Sequence, residues 1–510
     1  MPTWSDDPFA RPTQVRHQLL LFLGSLSFVL YLDRVCLGQA LKPISEELQI
    51  SETGMGWILG AFTLAYGLFE VPTGHWGDRF GSRRVLTRIV LWWSTFTILT
   101  GLVPAFSLPL PIQPFASGAV LAFDSFVLLF VVRFLFGAGE AGALPNVARV
   151  VSRWFPQSER PLAQAVVLTS MLLGGAAAPV LAGFLIEKYG WRVAFGLFGL
   201  VGVAWAWAFS AWFRDDPADH PAVNAAERAL ILQGREAPGG ARATHSIPWQ
   251  FVLSSRNVWL LGAIMSCGAS CSYFYMGWYP SYLQKGRGVS AEDSKWLASL
   301  VMVGGATGAL LGSVLGGIVD RWQYDNRWKR CLTGFGLFAS AAICLTGSLY
   351  CESPRNSTLL VALAFCFAQA QQPTWWTVVA AISGRHLGAL FGLMNSMGVP
   401  GAFFANVFTG WLVDQRKAQG AEGRVAWDGV YPWFIGILML GALFWLFVDL
   451  TRSAVEPDAE TASDLATGRV AWAAEPATLT AQPEGGPGGP PWTPAPGEAT
   501  AVRPTTPGTI

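Results

Sequence analysis

Charged side chains are scarce in this sequence. Asp, Glu, Lys and Arg make up only 13% of the 510 residues, and hydrophobic residues make up 52%, whereas an ordinary soluble protein is about 25% charged. The formal net charge is +1, and the basic residues fall between apolar runs rather than on one face of a domain, which excludes a nucleic-acid partner. This composition predicts an integral membrane protein that is surrounded by a lipid bilayer.

The sequence also lacks the side-chain clusters on which enzymes and metal sites depend. Its seven cysteines show neither a paired framework nor zinc spacing, and most of them fall inside apolar runs. Its five histidines fall at expected loop or span-end positions, so none stands beside a nucleophile as a base. We therefore expect a protein that is not an enzyme and that binds neither a metal ion nor an organic cofactor.

Long apolar runs are what the sequence has instead. They recur from residue 18 to about residue 450, and each is long enough, at ~1.5 Å per residue, to cross a hydrocarbon core ~30 Å thick. The runs predict an all-α integral membrane fold with twelve transmembrane helices, or spans. No small-residue cleavage pattern follows the first run, so we expect it to stay as span 1. The span centres lie near Leu26, Thr63, Ser94, Phe134, Ser170, Ala204, Cys271, Ala306, Phe338, Cys366, Phe403 and Leu440.

The distribution of basic and polar residues predicts the orientation and the domain boundaries. With a cytoplasmic N-terminus, the inside loops and tails hold about 20 Lys and Arg and the outside loops about 10, as the positive-inside rule favours for a cell-membrane protein. Both termini are then cytoplasmic. The predicted parts are a cytoplasmic N-terminal tail (1–17), a first six-helix bundle (18–213), a cytoplasmic linker (214–255), a second six-helix bundle (256–450) and a disordered cytoplasmic tail rich in Pro and Gly (451–510).

A short repeat relates these spans to one another. Gly-x-x-x-Asp/Glu closes every third span, and it falls at the same end of each three-helix unit. A three-helix unit that is used four times in alternating orientation is typical of secondary transporters, whose binding site lies between two pseudo-symmetric halves. The four copies are Gly74/Asp78, Gly183/Glu187, Gly316/Asp320 and Gly410/Asp414.

Two of these copies resemble a known family signature. The stretch GHWGDRFGSRR, residues 74–84, resembles the loop motif between the second and third helices of the major facilitator superfamily, and GGIVDR, residues 316–321, is a degenerate copy. The resemblance implies that these residues latch a conformation, although a basic loop that only sets the topology is the alternative. The expected gating residues are Gly74, Asp78, Arg79, Gly81, Arg83, Arg84, Asp320 and Arg321.

Four further stretches resemble one branch of that superfamily, the anion:cation symporter family. This family includes carriers of hexuronates, sugar acids and phthalates and relatives of sialin and the vesicular glutamate transporters. The resemblance covers all twelve spans and implies a monomeric, proton-coupled symporter that imports a small organic anion, such as a hexuronate, sugar acid or aromatic acid, by rocker-switch alternating access. The stretches are YLDR (31–34), RFLFGAGEAGALPN (133–146), RWFPQSER (153–160) and GLMNSMG (392–398).

Four charges fall inside spans 1 and 4, namely Asp33, Arg34, Arg133 and Glu140. A charge at the centre of a membrane helix costs ~2.5–3.5 kcal/mol, so it indicates a function more often than chance or core pairing. Helical spacing places Tyr31 and Arg34 on one face of span 1, with Asp33 about 100° away. Because spans 1 and 4 both line the central cavity in this superfamily, the resemblance implies that the four charges share one chamber.

The resemblance and the side-chain chemistry together predict a role for each charge. Arg34 is expected to hold a substrate carboxylate, because a guanidinium offers paired donors and stays charged. Asp33 and Glu140 match the coupling acids of the family and are the expected proton carriers, while Arg133 is the expected partner of Glu140. The proton is then the coupling ion.

Neutral side chains complete the predicted binding site. Tyr31 and Tyr66 match pocket positions of the family, although Tyr66 could serve only in helix packing. Tyr275, beside a break in span 7, is expected to line the cavity, and Gln372 and Asn395 are expected to donate hydrogen bonds to substrate or, alternatively, to a neighbouring helix. Two positions depart from the family pattern. They are Met171, where sugar-acid carriers have a polar residue, and Val399, where a second Asn is usual. Separately, Glu70 lies one turn after Tyr66 and could join either the polar network or the loop latch.

Three other functions compete with symport. GGAAAPVLAG, residues 174–183, resembles the fifth helix of drug antiporters, but an Arg-bearing cavity repels cationic drugs. A phosphate-ester exchanger would need another basic residue in the second half, and residues 257–284 contain none. A membrane sensor would use the C-terminal tail as its output, but the tail shows neither charge blocks nor amphipathic periodicity.

Overall fold

The computed structural model describes five stretches of the chain, and helices dominate all of them. The stretches are residues 11–109, 122–233, 249–321, 326–383 and 387–449. The helices are α1 (Val15–Leu48), α2 (Glu52–Phe80), α3 (Ser82–Leu102), α4 (Ser125–Glu140), α5 (Ala143–Trp154), α6 (Arg160–Trp212), α7 (Ala225–Leu232), α8 (Trp249–Ser254), α9 (Arg256–Tyr273), α10 (Tyr279–Ser281), α11 (Ala291–Asp320), α12 (Asn326–Tyr350), α13 (Pro354–Ala370), α14 (Gln372–Ser383), α15 (Leu387–Ser396), α16 (Gly398–Ala418), α17 (Gly423–Asp428) and α18 (Tyr431–Phe447).

Short irregular elements join some of these helices. Strands β1 (Ser107–Pro109) and β2 (Ala122–Asp124) pair antiparallel before α4. A single 3₁₀ turn, Pro217–Asp219, precedes α7 in the described part of the chain. Two π-helical turns, Phe274–Trp278 and Tyr282–Gly286, flank α10 and continue span 7 beyond α9. Such turns insert an extra residue into a helix, so they rotate the side chains that follow.

The twelve predicted spans all correspond to helices. Nine helical stretches of the described residues are long and apolar enough to cross a membrane, and Arg160–Trp212 contains both span 5 and span 6. The two spans outside those nine are α2, which is span 2, and α13 with α14, which is span 10. The predicted all-α membrane fold of two six-helix halves is therefore confirmed.

Gly190 separates spans 5 and 6 within α6. Its backbone leaves the helical region at φ 81°, ψ 159°, so the chain turns there although helix continues on both sides. Glycine fits because this positive φ strains any residue that carries a Cβ. The turn lets both parts of α6 pack in the first half, where α1 contacts the first part around Gly174 and α3 contacts the second part around Gly199 and Gly202.

The two halves meet along two equivalent helix pairs. Span 2 (α2) packs against span 11 (α16), and span 5 (the first part of α6) packs against span 8 (α11). These pairs are related by the pseudo-symmetry, since span 2 corresponds to span 8 and span 5 to span 11. Rotation of one half against the other about such an axis is the motion that alternating access requires.

Ion pairs and hydrogen bonds join the halves at one end of the bundle. Glu52 Oε1 accepts from Lys285 Nζ (2.8 Å) and from Lys417 Nζ (3.0 Å), and only 6% of the Glu52 side chain is exposed. We call this set of contacts the outer gate, because the predicted orientation places it outside the cell. Its members are Ser45, Glu52, Thr53, Glu187, Lys285, Lys295, Asp414 and Lys417.

Backbone contact strengthens the outer gate. At Gly410 of α16 a Cβ would collide with the carbonyl of Glu52, so only glycine allows the two helices this approach. Deeper in the same interface, Asn406 Nδ2 donates to Thr63 Oγ1 over 3.1 Å, and both residues are buried. The halves are thus held together from the outer end to about the middle of α2.

We expect Glu52→Gln to open the outer gate in a larger fraction of molecules. The amide keeps the size of the side chain but loses its charge, which leaves two lysines facing each other without a counterion. Spin labels at the exposed positions Tyr189 and Trp296 (51% and 60% exposed) would report the separation of the halves. A longer-distance population should appear in this variant.

Glu47→Gln is the matched control for that experiment. Glu47 is the second-last residue of α1, and among the described residues its carboxylate bonds within the first half, to Trp191 Nε1 (2.6 Å) and Arg192 Nη2 (3.0 Å). Its loss should leave the distance distribution unchanged. A Glu52→Gln distribution identical to the wild type would show that the outer gate does not depend on this ion pair.

The first part of the predicted linker packs on the first half. The fully buried Glu227 of α7 accepts hydrogen bonds from Thr13 Oγ1 (2.5 Å), Val15 N (3.0 Å), Arg16 N (3.1 Å) and Arg16 Nη1 (3.2 Å). Arg16 also pairs with Glu159 (2.8 Å), between α5 and α6. The linker therefore moves with the first half at least as far as α7. The predicted boundaries themselves stay predictions, and residues 1–10 and 450–510 lie outside the described residues.

Glu227→Ala should release α7 from the first half. The change removes four hydrogen bonds and leaves a buried arginine with one carboxylate fewer, a loss of ~2–4 kcal/mol. Trypsin should then cut sooner after the exposed Arg228. Substitution of the exposed Glu46 by Ala is the control, and equal cleavage rates in both variants would contradict the assigned role.

Acid should release α7 in the same way. Burial raises the pKa of Glu227, but the hydrogen bonds from Thr13, Arg16 and Val15 outweigh it and leave the pKa below the ordinary 4.5. The hydrogen bond from Arg16 likewise lowers the pKa of Glu159. A lowered carboxyl pKa stabilises the fold fully above about pH 4.5, and this stabilisation disappears as the pH falls through the lowered value. Cleavage after Arg228, measured relative to that of Glu227→Ala at the same pH, should therefore be equally slow at pH 7 and pH 6, where both carboxyl groups stay ionised.

Candidate substrate and coupling site

Arg34 of α1 and Glu140 of α4 form an ion pair inside the first half. Arg34 Nε donates to Glu140 Oε1 over 2.9 Å, and Arg34 Nη2 donates to the same oxygen. The Arg34 side chain is 9% exposed and that of Glu140 1%. Both donors of one guanidinium edge are thus engaged by an acid of the protein itself.

A helix break fixes the position of Glu140. Glu140 is the last residue of α4, and Ala141 and Gly142 separate it from α5. Pro145 explains this break, because proline cannot donate to the carbonyl four residues earlier, that of Ala141, and its ring clashes with it. Span 4 therefore bends at the acid and leaves Glu140 at a helix end within the membrane.

Aromatic rings surround the guanidinium of Arg34. Its Cζ lies 5.1 Å from the ring centroid of Tyr31, 5.2 Å from that of Phe62 and 4.8 Å from that of Tyr66. Tyr273 of the second half packs against the same cluster and lies close enough to interact electrostatically with Arg34. We call Tyr31, Phe62, Tyr66 and Tyr273 the aromatic cage. Cation–π attraction of ~0.5–2 kcal/mol from each of the first three rings holds the arginine in place.

Arg133 and Asp33 form a second charged group behind the cage. Arg133 Cζ lies 4.1 Å from the ring centroid of Phe136 and 5.8 Å from that of Phe62. Asp33 is buried, and neither of its carboxylate oxygens has a hydrogen-bond partner among the described residues. Arg133 lies within electrostatic range of Asp33 and Glu140, but its guanidinium stacks on Phe136 one turn along α4. The direct partner of Glu140 is therefore Arg34, and not Arg133 as we expected from the sequence.

In the second half, Tyr275 and Gln372 contact side chains outside the cage. Tyr275 is 2% exposed and packs in the core, 5.0 Å between ring centroids from Phe365. Gln372 is half-buried, with its Oε1 accepting from Gln371 Nε2 (3.2 Å) and its Nε2 facing Met265 Sδ (3.5 Å). Asn395 is half-buried on α15. Their roles in substrate binding stay predictions.

Tyr273 and Phe62 are site residues that the sequence did not single out. Tyr273 and Tyr275 are two positions apart, so a helix points them about 200° from each other and only one can face the cage. The spacing shows that only one of the two tyrosines can face the cage, but it does not show which one. Phe62 is one turn before Tyr66 on α2, where an aromatic residue in an apolar run carries no signal of its own.

The predicted gating residues of the loop after α2 contact the end of α6 and the start of the linker. Gly81 has φ 83°, and the backbone N–H of Arg83 donates to Asp215 Oδ1 over 2.9 Å. The Arg83 guanidinium donates to the carbonyl of Ser210, over 2.9 Å from Nε. These contacts belong to the first half and to the linker that packs on it.

The other gating residues are exposed or incompletely described. Gly74 lies in α2, and the side chains of Asp78 and Asp320 lie outside the described residues. Arg79, Arg84 and Arg321 are exposed at helix ends. The latch function of the loop motif stays a prediction.

Comparison with known proteins identifies the family. The sequence model of the Major Facilitator Superfamily matches residues 23–405. The chain belongs to this superfamily. It is a multi-pass membrane transporter and not an enzyme, as we expected.

Curated relatives match nearly the whole chain. A probable sulfoacetate transporter of Cupriavidus necator is 28% identical over 446 residues, which cover 87% of this chain and 96% of the relative. A probable galactarate/D-glucarate transporter of Bacillus subtilis is 28% identical over 466 residues, with 88% and 97% covered. The chloroplastic ascorbate transporter of Arabidopsis thaliana is 27% identical, with 87% and 75% covered. The predicted resemblance to the anion:cation symporter family is confirmed.

Solved structures share the fold. A bacterial homolog of the human lysosomal transporter Spinster, inward-facing and occupied, superimposes with a TM-score of 0.67 at 17% identity, covering 85% of this chain and 96% of that one. The xylose transporter XylE of Escherichia coli, in an inward-open conformation, gives a TM-score of 0.60 at 14% identity, with 88% and 99% covered. At these identities the likeness establishes the architecture alone.

Proposed function

We propose that this protein is a proton-coupled symporter that imports a small organic anion. The observation that carries the proposal is the buried ion pair of Arg34 and Glu140 inside the aromatic cage, where residues of both halves meet. The relatives named for sulfoacetate and for galactarate/D-glucarate, which are organic anions, support the same class of substrate. The expected substrate is a carboxylate such as a hexuronate, sugar acid or aromatic acid.

The ion pair links anion binding to protonation. A substrate carboxylate needs the Arg34 donors that Glu140 occupies, because a guanidinium binds a carboxylate best through paired N–H groups. Protonation of Glu140 weakens its hold on Arg34 and leaves the guanidinium to be balanced by the substrate. Each substrate charge thus replaces one protein charge, so no unpaired charge is left in the membrane.

The second charged group keeps the rest of the site balanced. Asp33 and Arg133 lie within electrostatic range of each other and of Glu140. A proton on Glu140 changes the field at Asp33, so the two acids titrate as a coupled pair rather than independently. Asp33 is the second proton carrier of the proposal.

Alternating access follows from opening of the outer gate and closure of the inner ends. In the structure the outer gate is closed, and Tyr273 brings the second half to the cage. Rotation of the halves about the α2–α16 and α6–α11 contacts would expose Arg34 to each side in turn. Substrate and proton together would favour this rotation, because the loaded site carries no uncompensated charge.

Uptake by proteoliposomes tests the function. A panel of labelled hexuronates, sugar acids, aromatic acids and sulfonates would be offered with and without an inward proton gradient. We expect one class of anion to accumulate, and to accumulate further when the gradient is imposed. Folded protein that carries only neutral or cationic solutes would contradict the proposal.

The proposal includes a place and an orientation for the protein. We propose that it functions as a monomer in the cell membrane with both termini in the cytoplasm. The arginine-rich loop after α2 supports this orientation, since loops with excess Lys and Arg stay inside. A green fluorescent protein fused to the C-terminus should fluoresce, and a dark but full-length fusion would contradict this orientation.

A further inference from the structure

A cavity lies between α11 and α14 in the second half, apart from the site around Arg34. Its volume is about 320 Å³, which falls within the range of pockets that hold small ligands, roughly 300–1,000 Å³. Of the described residues that line it, Arg330, one turn after the start of α12, is the one that carries a charge. Ser313, Thr374 and Thr377 contribute hydroxyl groups to the lining.

The cavity begins where α11 and span 10 separate. Gly304, Gly308 and Gly312 lie on one face of α11, and a Cβ at any of them would collide with a backbone carbonyl of α13. At Gly316, one turn further along that face, a Cβ would meet no described atom of a neighbouring helix within 4 Å. Pro373 explains the separation, because its ring cannot continue the helix of span 10, which is interrupted between α13 and α14.

The cavity faces the first half. Ser313 follows Lys295 by 18 residues on α11, which is five helical turns, so the two side chains point in the same direction. Lys295 pairs with Glu187 of the first half in the outer gate (2.8 Å), whereas Ser313 is exposed. The halves therefore meet at the outer end of this face and leave it open at the other end, which is cytoplasmic in the proposed orientation.

The cavity also lies on the cytoplasmic side of the aromatic cage. Ser272, the neighbour of Tyr273 in the cage, donates from its hydroxyl to Gln369 Oε1 (3.4 Å). Thr374 follows Gln369 by five residues, which places it ~8 Å further along span 10 toward the cytoplasmic end. A substrate that leaves Arg34 for the cytoplasm therefore passes the level of the cavity.

The lining groups have the chemistry of an anion site. A guanidinium has five N–H donors, and Arg330 can hold a ligand oxygen in addition to its contacts within the protein. The hydroxyls of Ser313 and Thr377 donate to carbonyls of their own helices, over 3.1 and 2.8 Å, and a hydroxyl can rotate to donate to a ligand instead. Trp376, 39% exposed, adds ring surface for the carbon skeleton of an organic acid.

We propose that this cavity is a second anion-binding site, which holds the substrate after it leaves Arg34 and before it reaches the cytoplasm. The inference rests on the proposed function and adds to it a release site in the second half. The ligand is the carboxylate or sulfonate group of a small organic acid, bound by Arg330 and the hydroxyls. This site takes no part in proton coupling, because an arginine stays charged at every working pH.

Equilibrium binding of labelled anions tests the number of sites. The probes are D-glucuronate, D-glucarate, benzoate and sulfoacetate, one for each class of the uptake panel, and the sample is the full-length protein in nanodiscs at pH 7. The wild type should bind two equivalents of the probe that it transports, the second more weakly. Arg34→Ala should remove the tighter site, and Arg330→Gln the weaker one.

The variants of the cavity differ in what they remove. Arg330→Gln should weaken the second site about tenfold or more, as the loss of charge-assisted hydrogen bonds predicts, and Arg330→Lys should weaken it less. Gly316→Leu keeps the charge but fills the open space beside α11, so it should also abolish the second site. Arg228→Gln, on the exposed face of α7, is the matched control and should keep both sites. An unchanged tighter site shows that each variant is folded.

Transport from each side gives an independent readout. Because the cavity opens toward the cytoplasm, Arg330→Gln should raise the KM of the transported probe about tenfold in inside-out membrane vesicles. The KM for uptake into right-side-out vesicles should stay unchanged. Transport that falls equally in both directions, with both KM values unchanged, would show that Arg330 only supports the fold.

The outcomes separate the two proposals. A single equivalent of bound probe in the wild type, or a second equivalent that survives both Arg330→Gln and Gly316→Leu, would overturn the release site and leave anion symport untouched. A second equivalent that binds in detergent but not in nanodiscs would assign the cavity to the phosphate of a phospholipid, and the release site would again be wrong. If the wild type neither binds nor transports any anion of the panel, the proposed function itself fails.

Discussion

Arg34→Ala should reduce anion uptake at least 100-fold. The substitution removes the charge-assisted donors proposed for the substrate carboxylate, and it leaves Glu140 buried without its partner. Breaking a buried pair by removing one member costs ~3–5 kcal/mol, which corresponds to a loss of 100-fold or more in binding. The measurement is initial uptake of the anion identified in the panel, together with its dissociation constant for the purified protein.

Two further variants make this result specific. Arg34→Lys keeps the charge but loses the planar fork, so about a tenfold loss is expected rather than a complete one. Arg79→Ala removes an arginine from the exposed end of α2, and uptake should be unaffected. Equal dissociation constants for wild type and Arg34→Ala, in protein that elutes as a folded monomer, would remove Arg34 from the binding site.

Glu140→Gln should separate transport from the proton gradient. Glutamine cannot change its charge, so it leaves Arg34 without a competing carboxylate at every pH. The variant should therefore still exchange labelled for unlabelled anion across the membrane, while accumulation driven by an inward proton gradient falls to the level without a gradient. Both quantities can be measured in the same proteoliposomes.

An acid on the same membrane protein but outside the pair provides the control. Glu46 lies exposed near the end of α1, and Glu46→Gln should keep both exchange and gradient-driven accumulation. If Glu140→Gln still accumulated anion in response to the gradient, the coupling proton would have to be carried elsewhere, and Asp33 would be the next residue to examine. Loss of exchange together with accumulation would show that Glu140 is needed for binding or folding instead.

The sequence predicted the architecture well because apolar runs and buried charges are local properties. Each span centre could be located from composition alone, and the cost of burying charge drew attention to Asp33, Arg34 and Glu140. The pairing of those charges is not local. It depends on the rotation of α1 against α4 and on the break that Pro145 causes after Glu140. For this reason the sequence predicted that Glu140 pairs with Arg133, whereas in the structure it pairs with Arg34.

The second half shows the same limit more strongly. Which tyrosine of span 7 faces the cavity depends on the local winding of the helix, and a π-helical turn begins at Phe274, directly between Tyr273 and Tyr275. The outer gate was also missed, since Glu52, Lys285 and Lys417 look like ordinary solvated charges at span ends. They become partners only in the conformation in which the two halves meet at that end.

The ion pair in the first half also determines how the carrier should respond to voltage. Asp33, Arg34, Arg133 and Glu140 have formal charges that sum to zero, so these four residues add no net charge to the empty carrier. A monoanion that arrives with one proton keeps that sum. A single uncompensated charge would gain or lose ~2.3 kcal/mol per 100 mV of membrane potential. A potassium diffusion potential of about 100 mV, of either sign, should therefore leave uptake of a monoanion unchanged. Uptake that changed severalfold with such a potential would indicate a different number of protons.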